Sequence, residues 1–205
     1  MGHSRADKEN THRRIVRIAA KRFREHGLEG IGIADVMKEA GLTVGGFYKH
    51  FGSRDELVAE ALASSTGTWR KRVEAASGAG KPLSYEQLVR DYLSHEHRDN
   101  PGEGCIFASL APDIARTGKT TRAAATARVE KNFELFTAAL GGKDKREARA
   151  QAILTFSALV GAMALARTVS DNSLSREILA TVTQRLEGQR PVGARKVRRE
   201  TKGAA

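Results

Sequence analysis

The sequence predicts an all-α fold, and three observations support this prediction. Apolar residues recur with helical spacing from about residue 11 to residue 187, whereas no stretch of useful length alternates with the period of two typical of a β-strand. The breaks between these helical patterns are short and rich in glycine, proline and asparagine. The composition is globular, since 40% of the residues are hydrophobic, 29% are charged and only 4 are prolines.

Two helices and a glycine turn open the chain. The first helix is predicted to begin at Asn10 or Thr11, either of which can cap it, and to end at about Glu25. A second, short helix is predicted over about 33–40. Gly41 follows at the point where a tight turn between two helices needs glycine.

The segment TVGGFYKHF comes next, and it is compatible with two structures. Its two adjacent glycines lie between β-branched and aromatic residues, a pattern that favours a β-hairpin. A lone hairpin among helices has no sheet to join, so we predict a short helix instead. Thr43 would cap this helix, Phe47 and Phe51 would face inward, and Gly45 and Gly46 would face outward. Helix, turn and helix together indicate a helix-turn-helix unit.

The remaining elements are also predicted to be helical. Ser53 and Glu56 form a capping box that begins a long helix, predicted to continue to about Ala76. The later helices are predicted at about 83–97, 104–117, 119–140, 144–170 and 173–187. We therefore expect a helix-turn-helix domain over 1–52, a larger helical domain over 53–188 and a basic tail over 189–205.

The charge of the chain favours a polyanionic partner. Its net charge is +11 and its pI is near 10.1. The basic residues concentrate at the two ends, with eight Lys and Arg against three acids in residues 1–28. The tail carries six against one. We predict that the tail is disordered, with a contribution to DNA binding as the alternative.

Other patterns exclude several classes of protein. Cys105 is the only cysteine, so no disulfide forms within one chain, which fits a reducing cytoplasm. The N-terminus lacks the apolar core of a signal peptide, and the apolar run Ala152–Ala166 is too short to span a bilayer. His95 and His97 are two apart on a predicted helix and point in different directions, so no metal site is expected. No phosphate-binding, dinucleotide-binding or nucleophile motif is present, and neither an enzyme nor a cofactor is predicted.

The N-terminal part resembles the TetR/AcrR family of bacterial one-component repressors. The resemblance covers about residues 11–62 and rests on EHGLEG, IADVMKEAGLT, GGFYKHF and SRDEL, in this order. It implies a cytoplasmic homodimer that binds a near-palindromic operator in double-stranded DNA and releases it when a small-molecule effector enters the C-terminal domain. A ligand-independent architectural DNA-binding protein is the alternative, and an enzyme on a helical scaffold is less favoured.

The resemblance also assigns DNA contacts by position. It places the start of the recognition helix at the major groove, Tyr48 and His50 at the backbone or base edges, and Arg54 at a phosphate; Lys49 points to the same side. The implied DNA-binding residues are Thr43, Val44, Gly45, Gly46, Tyr48, Lys49, His50 and Arg54.

The C-terminal part is predicted to bind the effector and to dimerise. The helix over 144–170 is apolar on nearly all sides, so we expect core on one side and a partner subunit on the other. With the helix over 173–187 it would form a four-helix interface, where Ser157, Gly161 and Ala164 permit close approach. Large side chains are predicted either to line a ligand pocket or to pack in the core: Trp69, Tyr85, Tyr92, Phe107, Phe133, Phe136 and Met163.

Cys105 is the candidate redox or electrophile sensor. It follows residues 100–104 at a predicted helix N-terminus, where the helix dipole favours a thiolate. The segment GCIFASLAPDIA resembles the equivalent stretch of family members that sense electrophiles or oxidants through a cysteine. The alternative is a small buried residue without a chemical role.

Overall fold

The computed structural model describes residues 5–64 and 67–188, and every regular element in those ranges is a helix. The predicted all-α fold is thereby confirmed. The predicted tail, 189–205, lies outside the described residues. Two short 3-10 helices are present, Val44–Lys49, here called the recognition helix, and Pro101–Glu103. The α-helices are α1 Arg5–His26, α2 Ile33–Glu39, α3 Arg54–Ala63, α4 Thr68–Gly78, α5 Tyr85–Tyr92, α6 His95–Asp99, α7 Ile106–Ala115, α8 Lys119–Leu140, α9 Lys145–Thr168 and α10 Asn172–Gly188.

Two predicted helix boundaries in the N-terminal part are wrong. The first helix is already formed at Arg5, so Asn10 and Thr11 lie inside it and do not cap it. The predicted long helix from residue 53 to residue 76 is divided into α3 and α4. The division has a packing reason, because a Cβ on Gly67 would lie only 2.9 Å from the carbonyl oxygen of Gly104. The backbones of Gly67 and Gly104 therefore approach closely.

The helix predicted over 83–97 is also divided, into α5 and α6. The Ser94 hydroxyl accepts a hydrogen bond from the backbone N–H of His97 at 3.2 Å and begins α6. Ser84 begins α5 through a capping box with Gln87. These N-caps explain why an apolar pattern that looks continuous produces two helices.

The core of the N-terminal part is built from α1, α2, the recognition helix and α3. Each contributes a fully buried apolar side chain, namely Ile15, Met37, Phe47 and Leu57. α3 also packs along α8, and therefore joins this part to the rest of the molecule. α8, α9 and α10 pack side by side, and α5 and α7 cover them.

α9 has one buried face and one exposed face. Ala152, Leu159 and Met163 are buried, whereas Leu154 and Leu165 are exposed. By length and composition α9 alone among the described helices is apolar enough to cross a membrane. The apolar run considered in the sequence is only part of this helix, which spans Lys145–Thr168. Its contacts with α7, α8 and α10 are those of a core helix.

Candidate functional site

The recognition helix begins after a sharp turn. Gly41 has a φ of +68°, a backbone conformation that glycine adopts without steric cost. Thr43 is the N-cap in extended backbone, as predicted, although its side chain accepts no capping hydrogen bond. The helix is 3-10 rather than α, which agrees with the poor α-helix propensity of two consecutive glycines.

The inward side of the recognition helix is held by stacked rings. Phe47 and Phe51 are buried as predicted, with ring centroids 5.3 Å apart. His12 of α1 stacks on Phe51 at 4.5 Å, and its Nε2 lies 2.6 Å from a carboxylate oxygen of Glu60 in α3. Contacts from α1 and α3 therefore fix the orientation of the recognition helix.

The outward side presents two large side chains to solvent. Tyr48 is 70% exposed and Val44 is 49% exposed, although both are residues that protein interiors favour. A Cβ on Gly45 would meet no atom within 4 Å, so this glycine leaves the backbone open to solvent. The absence of a side chain at Gly45 permits close approach by a large partner.

Gly46 differs from Gly45, and its predicted outward orientation is only partly correct. A Cβ on Gly46 would lie 3.7 Å from Met37 Cε and 3.8 Å from Thr43 Oγ1. This glycine is half-buried against α2. It contributes to the packing between the two helices, whereas Gly45 contributes to the open surface.

His50 is turned partly into the protein. Its Nδ1 is buried and has no hydrogen-bond partner among the described residues, and its ring lies 5.9 Å from that of His12. Burial lowers the pKa of His50, and the nearby His12, Lys8 and Lys49 lower it further. The ring is therefore neutral at pH 7.

Arg54 does not point to the outward side. Its guanidinium donates a hydrogen bond to the carbonyl oxygen of Leu28 and lies 3.5 Å from a carboxylate oxygen of Glu29. It also lies over the ring of Phe23, 5.8 Å from the centroid. In this structure Arg54 joins α3 to the turn after α1. Its guanidinium is not directed toward the surface where a phosphate contact was expected.

An open groove of about 520 Å³ separates the recognition helix from the first turns of α1. Asp7, Lys8 and Thr11 line one wall, and the other is lined by Thr43, Lys49 and His50 together with Leu42 and Gly46. Sequence reasoning did not assign Lys8 and Thr11 to this surface. The excess of basic residues near the N-terminus was the only indication in the sequence. It could not be assigned to particular residues without the observation that α1 begins at Arg5.

The predicted pocket residues form a packed aromatic core. Tyr92 and Phe136 are fully buried, and their rings meet that of Trp69 at 5.2 and 6.3 Å. Phe107 and Phe133 each contact Phe156 edge to face. Met163 is fully buried and Tyr85 is buried. Trp69 lines two small cavities of about 170 and 30 Å³, and Phe107 lines the smaller one.

Cys105 is the N-cap of α7 and is half-buried. Its backbone N–H donates to His97 Nε2 at 2.7 Å, and the other ring nitrogen of His97 lies 2.5 Å from the carbonyl oxygen of Tyr92. Burial lowers the pKa of His97 to about 4, so the ring is neutral and accepts the Cys105 N–H. Burial raises the pKa of Tyr92, whose hydroxyl lies near the Cys105 thiol.

Two contacts connect the Cys105 region to the end of α1. The Arg24 guanidinium donates to the carbonyl oxygen of Gly102, with Nε at 2.8 Å. The backbone N–H of Leu28 donates to a carboxylate oxygen of Asp113 in α7 at 3.2 Å. α7 packs mainly on α1, α8 and α9. Its first residues, Ile106 and Phe107, also line a small cavity with Leu62 of α3 and with Trp69 and Arg70 of α4.

A comparison of the sequence with models of protein families gives a result that agrees with the helix-turn-helix geometry. Residues 15–61 match the model for bacterial regulatory proteins of the tetR family. The N-terminal part of the chain is therefore a helix-turn-helix domain of the tetR family of bacterial regulatory proteins. The family match continues into α3, beyond the domain boundary predicted at residue 52. No curated protein matches the chain.

Solved structures show that the TetR-like fold extends beyond this domain. A TetR-family regulator from Cytophaga hutchinsonii has a TM-score of 0.72 at 18% identity, over 96% of this chain and 100% of its own. The reduced form of E. coli NemR has a TM-score of 0.70 at 18% identity, over 89% and 99%. AibR in complex with isovaleryl coenzyme A and operator DNA has a TM-score of 0.58 at 17% identity, over 86% and 97%. At such low sequence identities these structures show that the chain shares their fold, and nothing about its ligand.

Proposed function

We propose that this protein is a ligand-responsive TetR-family repressor that binds a near-palindromic operator as a homodimer in the cytoplasm. The observation that carries the proposal is the outward side of the recognition helix. There an aromatic side chain and a valine are exposed beside an open glycine backbone, while stacked rings hold the helix from behind. A protein keeps such side chains in solvent where a partner will cover them.

The interface divides into residues for affinity and residues for sequence choice. Lys8, Lys49 and the Tyr48 hydroxyl are suited to phosphate oxygens, which position the protein on the duplex. Val44 and the Gly45 backbone are suited to the major groove, where a methyl group of thymine or the shape of the groove can be read. His50, partly buried and neutral, is assigned to support of the recognition helix and a peripheral contact, and Arg54 to positioning of α3.

The proposed dimer uses the exposed face of α9 together with α10. Leu154 and Leu165 are 53% and 58% exposed on α9, and Leu174 is exposed on α10. Gly161 lies between the two leucines of α9, and a Cβ there would meet no atom within 4 Å. A second copy of this face would bury these side chains, each of which contributes about 1–2 kcal/mol when removed from water.

Release of DNA is proposed to start at the region around Cys105. Binding of a small molecule, or modification of the thiol, would move the segment 101–105, and Arg24 would transmit this movement to α1 through Gly102. Two structural neighbours support a search for such signals. AibR was solved with both isovaleryl coenzyme A and operator DNA, and NemR was solved in a form named as reduced.

Operator selection followed by fluorescence anisotropy tests the proposal. We expect the selected duplex to bind at least about a thousandfold more tightly than a scrambled duplex at physiological salt. Tyr48→Ala should weaken binding to both duplexes about tenfold, because it removes a phosphate contact from each half-site. Tyr48→Phe removes only the hydroxyl and separates hydrogen bonding from ring contact. Equal affinity for both duplexes would identify an architectural DNA-binding protein instead.

A further inference from the structure

A small cavity lies where α1, α4, α7 and α8 meet. Its volume is about 30 Å³, which accommodates one or two groups of the size of water. Three arginines from three helices line it, together with the sole cysteine: Arg24, Arg70, Arg128 and Cys105. No aspartate or glutamate of the described residues lines this cavity.

The three guanidinium groups are withdrawn from solvent together. Arg24 is 5% exposed, and the side chain of Arg70 is 15% exposed. Burial lowers the pKa of Arg24 and of Arg128, and the charge of Arg70 lowers that of Arg128 further. The carboxylates of Glu103 and Glu25 raise the pKa of Arg24, and that of Glu74 raises the pKa of Arg128, but none of the three lines the cavity. Like charges repel more strongly where solvent is excluded. Glu74 pairs with Arg70 at 3.0 Å, but it does not line the cavity.

Other groups around the cavity also favour a negatively charged ligand. α7 begins at Cys105 without a side-chain cap, so the positive end of its dipole is directed toward this region. Asn132 holds Arg70 through a hydrogen bond of 3.2 Å from the guanidinium to its amide oxygen. Leu62 and Phe107 supply apolar wall beside the charges. Fixed cations next to apolar surface suit an organic anion better than a hydrated inorganic one.

We propose that this cavity binds the carboxylate of a small organic acid, and that such an acid is the effector. A carboxylate accepts paired hydrogen bonds from guanidinium groups, and it would offset the repulsion between Arg70 and Arg128. Because Arg24 also holds Gly102, an anion that attracts Arg24 acts on the contact between α1 and the Cys105 segment. The step from binding to DNA release rests on the proposed function, whereas the carboxylate site itself does not.

Cys105 provides a built-in reporter, because it is the only cysteine and lines the same cavity. Iodoacetate and iodoacetamide alkylate a thiolate by the same displacement, in which an S–C bond forms, the C–I bond breaks and iodide leaves. Only iodoacetate carries a carboxylate. We expect the ratio of its rate constant to that of iodoacetamide, measured by mass spectrometry on the folded protein, to exceed the ratio for N-acetylcysteine about tenfold.

Two arginine variants and one control make the measurement specific. Arg128→Gln and Arg70→Gln should each return the ratio toward that of N-acetylcysteine, and two variants guard against one that misfolds. Arg122→Gln removes an exposed arginine from the same helix, α8, and should leave the ratio unchanged. A ratio equal to that of N-acetylcysteine, a ratio that both cavity variants leave intact, or no alkylation by either reagent would overturn the proposal. Operator affinity of the unmodified protein is measured separately, so its failure refutes only the proposed function.

Discussion

His97 contributes to the pH dependence of the stability of the protein. The folded state holds this ring neutral, and the pKa falls from an ordinary 6.5 to about 4. As the pH falls from 6.5 to 4 the unfolded chain binds a proton that the folded chain does not, so stability decreases. Above pH 6.5 and below pH 4 this residue contributes no further change. The loss across the window is about 3 kcal/mol.

Chemical denaturation of wild type and His97→Gln at pH 7, 6, 5 and 4 tests this prediction. We expect His97→Gln to be less stable at pH 7, because two buried hydrogen bonds change, but to show a shallower decline toward pH 4. Other groups titrate in the same range, so the difference between the two curves is the relevant quantity. Parallel curves would show that His97 is not the titrating group.

Gly45 and Gly46 form a matched pair at the residue scale. Alanine at Gly45 would point into open space, so we expect Gly45→Ala to keep or raise the melting temperature, since alanine has the higher helix propensity. It should nevertheless weaken operator binding, because the added methyl group stands on the DNA side. Gly46→Ala should change operator affinity less, since its methyl group faces Met37. Equal losses of affinity in both variants would contradict this assignment.

At the scale of elements, the contacts between α1 and α7 carry a prediction about stability. Asp113→Ala leaves the backbone N–H of Leu28 without its acceptor, so we expect a loss of about 1 kcal/mol. Hydrogen exchange should increase in the segment 24–29. Asp99→Ala, which removes an exposed carboxylate paired with the adjacent Arg98, is the control and should leave that segment protected. Unchanged exchange in Asp113→Ala would separate α7 from the end of α1.

Helices were predictable from the sequence where a periodic pattern and local caps agree. α2, α8, α9 and α10 lie close to their predicted ranges for this reason. The divisions between α3 and α4 and between α5 and α6 depend on information that periodicity does not contain. The first reflects the close approach of Gly67 to the Gly104 backbone, and the second a serine cap inside an apolar pattern.

The outward positions of Tyr48 and Val44 were implied by the family resemblance, and the structure exposes both side chains. The inward direction of Arg54 did not follow from the sequence. Its partner is the backbone carbonyl of Leu28. Every residue type has such a carbonyl, so the sequence does not reveal this contact. The arginine-lined cavity was likewise hidden, because its three arginines are far apart along the chain.

At the scale of the whole molecule, the exposed face of α9 predicts a dimer. Gly161→Glu would place a charge at the proposed interface, where it has no partner and is costly to bury. We expect light scattering to show monomer or aggregate. Gly78→Glu makes the same change at an open position of α4 and should remain dimeric. A Gly161→Glu protein that stays a stable dimer would place the interface elsewhere.

Specific binding of DNA by a dimer through the recognition helix is the central claim, and footprinting on the selected operator tests it most directly. Two recognition helices related by a twofold axis should protect two inverted half-sites whose centres are about one helical turn apart, with two protomers per duplex. Tyr48→Ala should need about tenfold more protein to protect the half-sites, and both should lose protection together as the protein is diluted. A single continuous protected tract without inverted symmetry, or a Tyr48→Ala protein that protects the half-sites at the same concentration as wild type, would contradict the account.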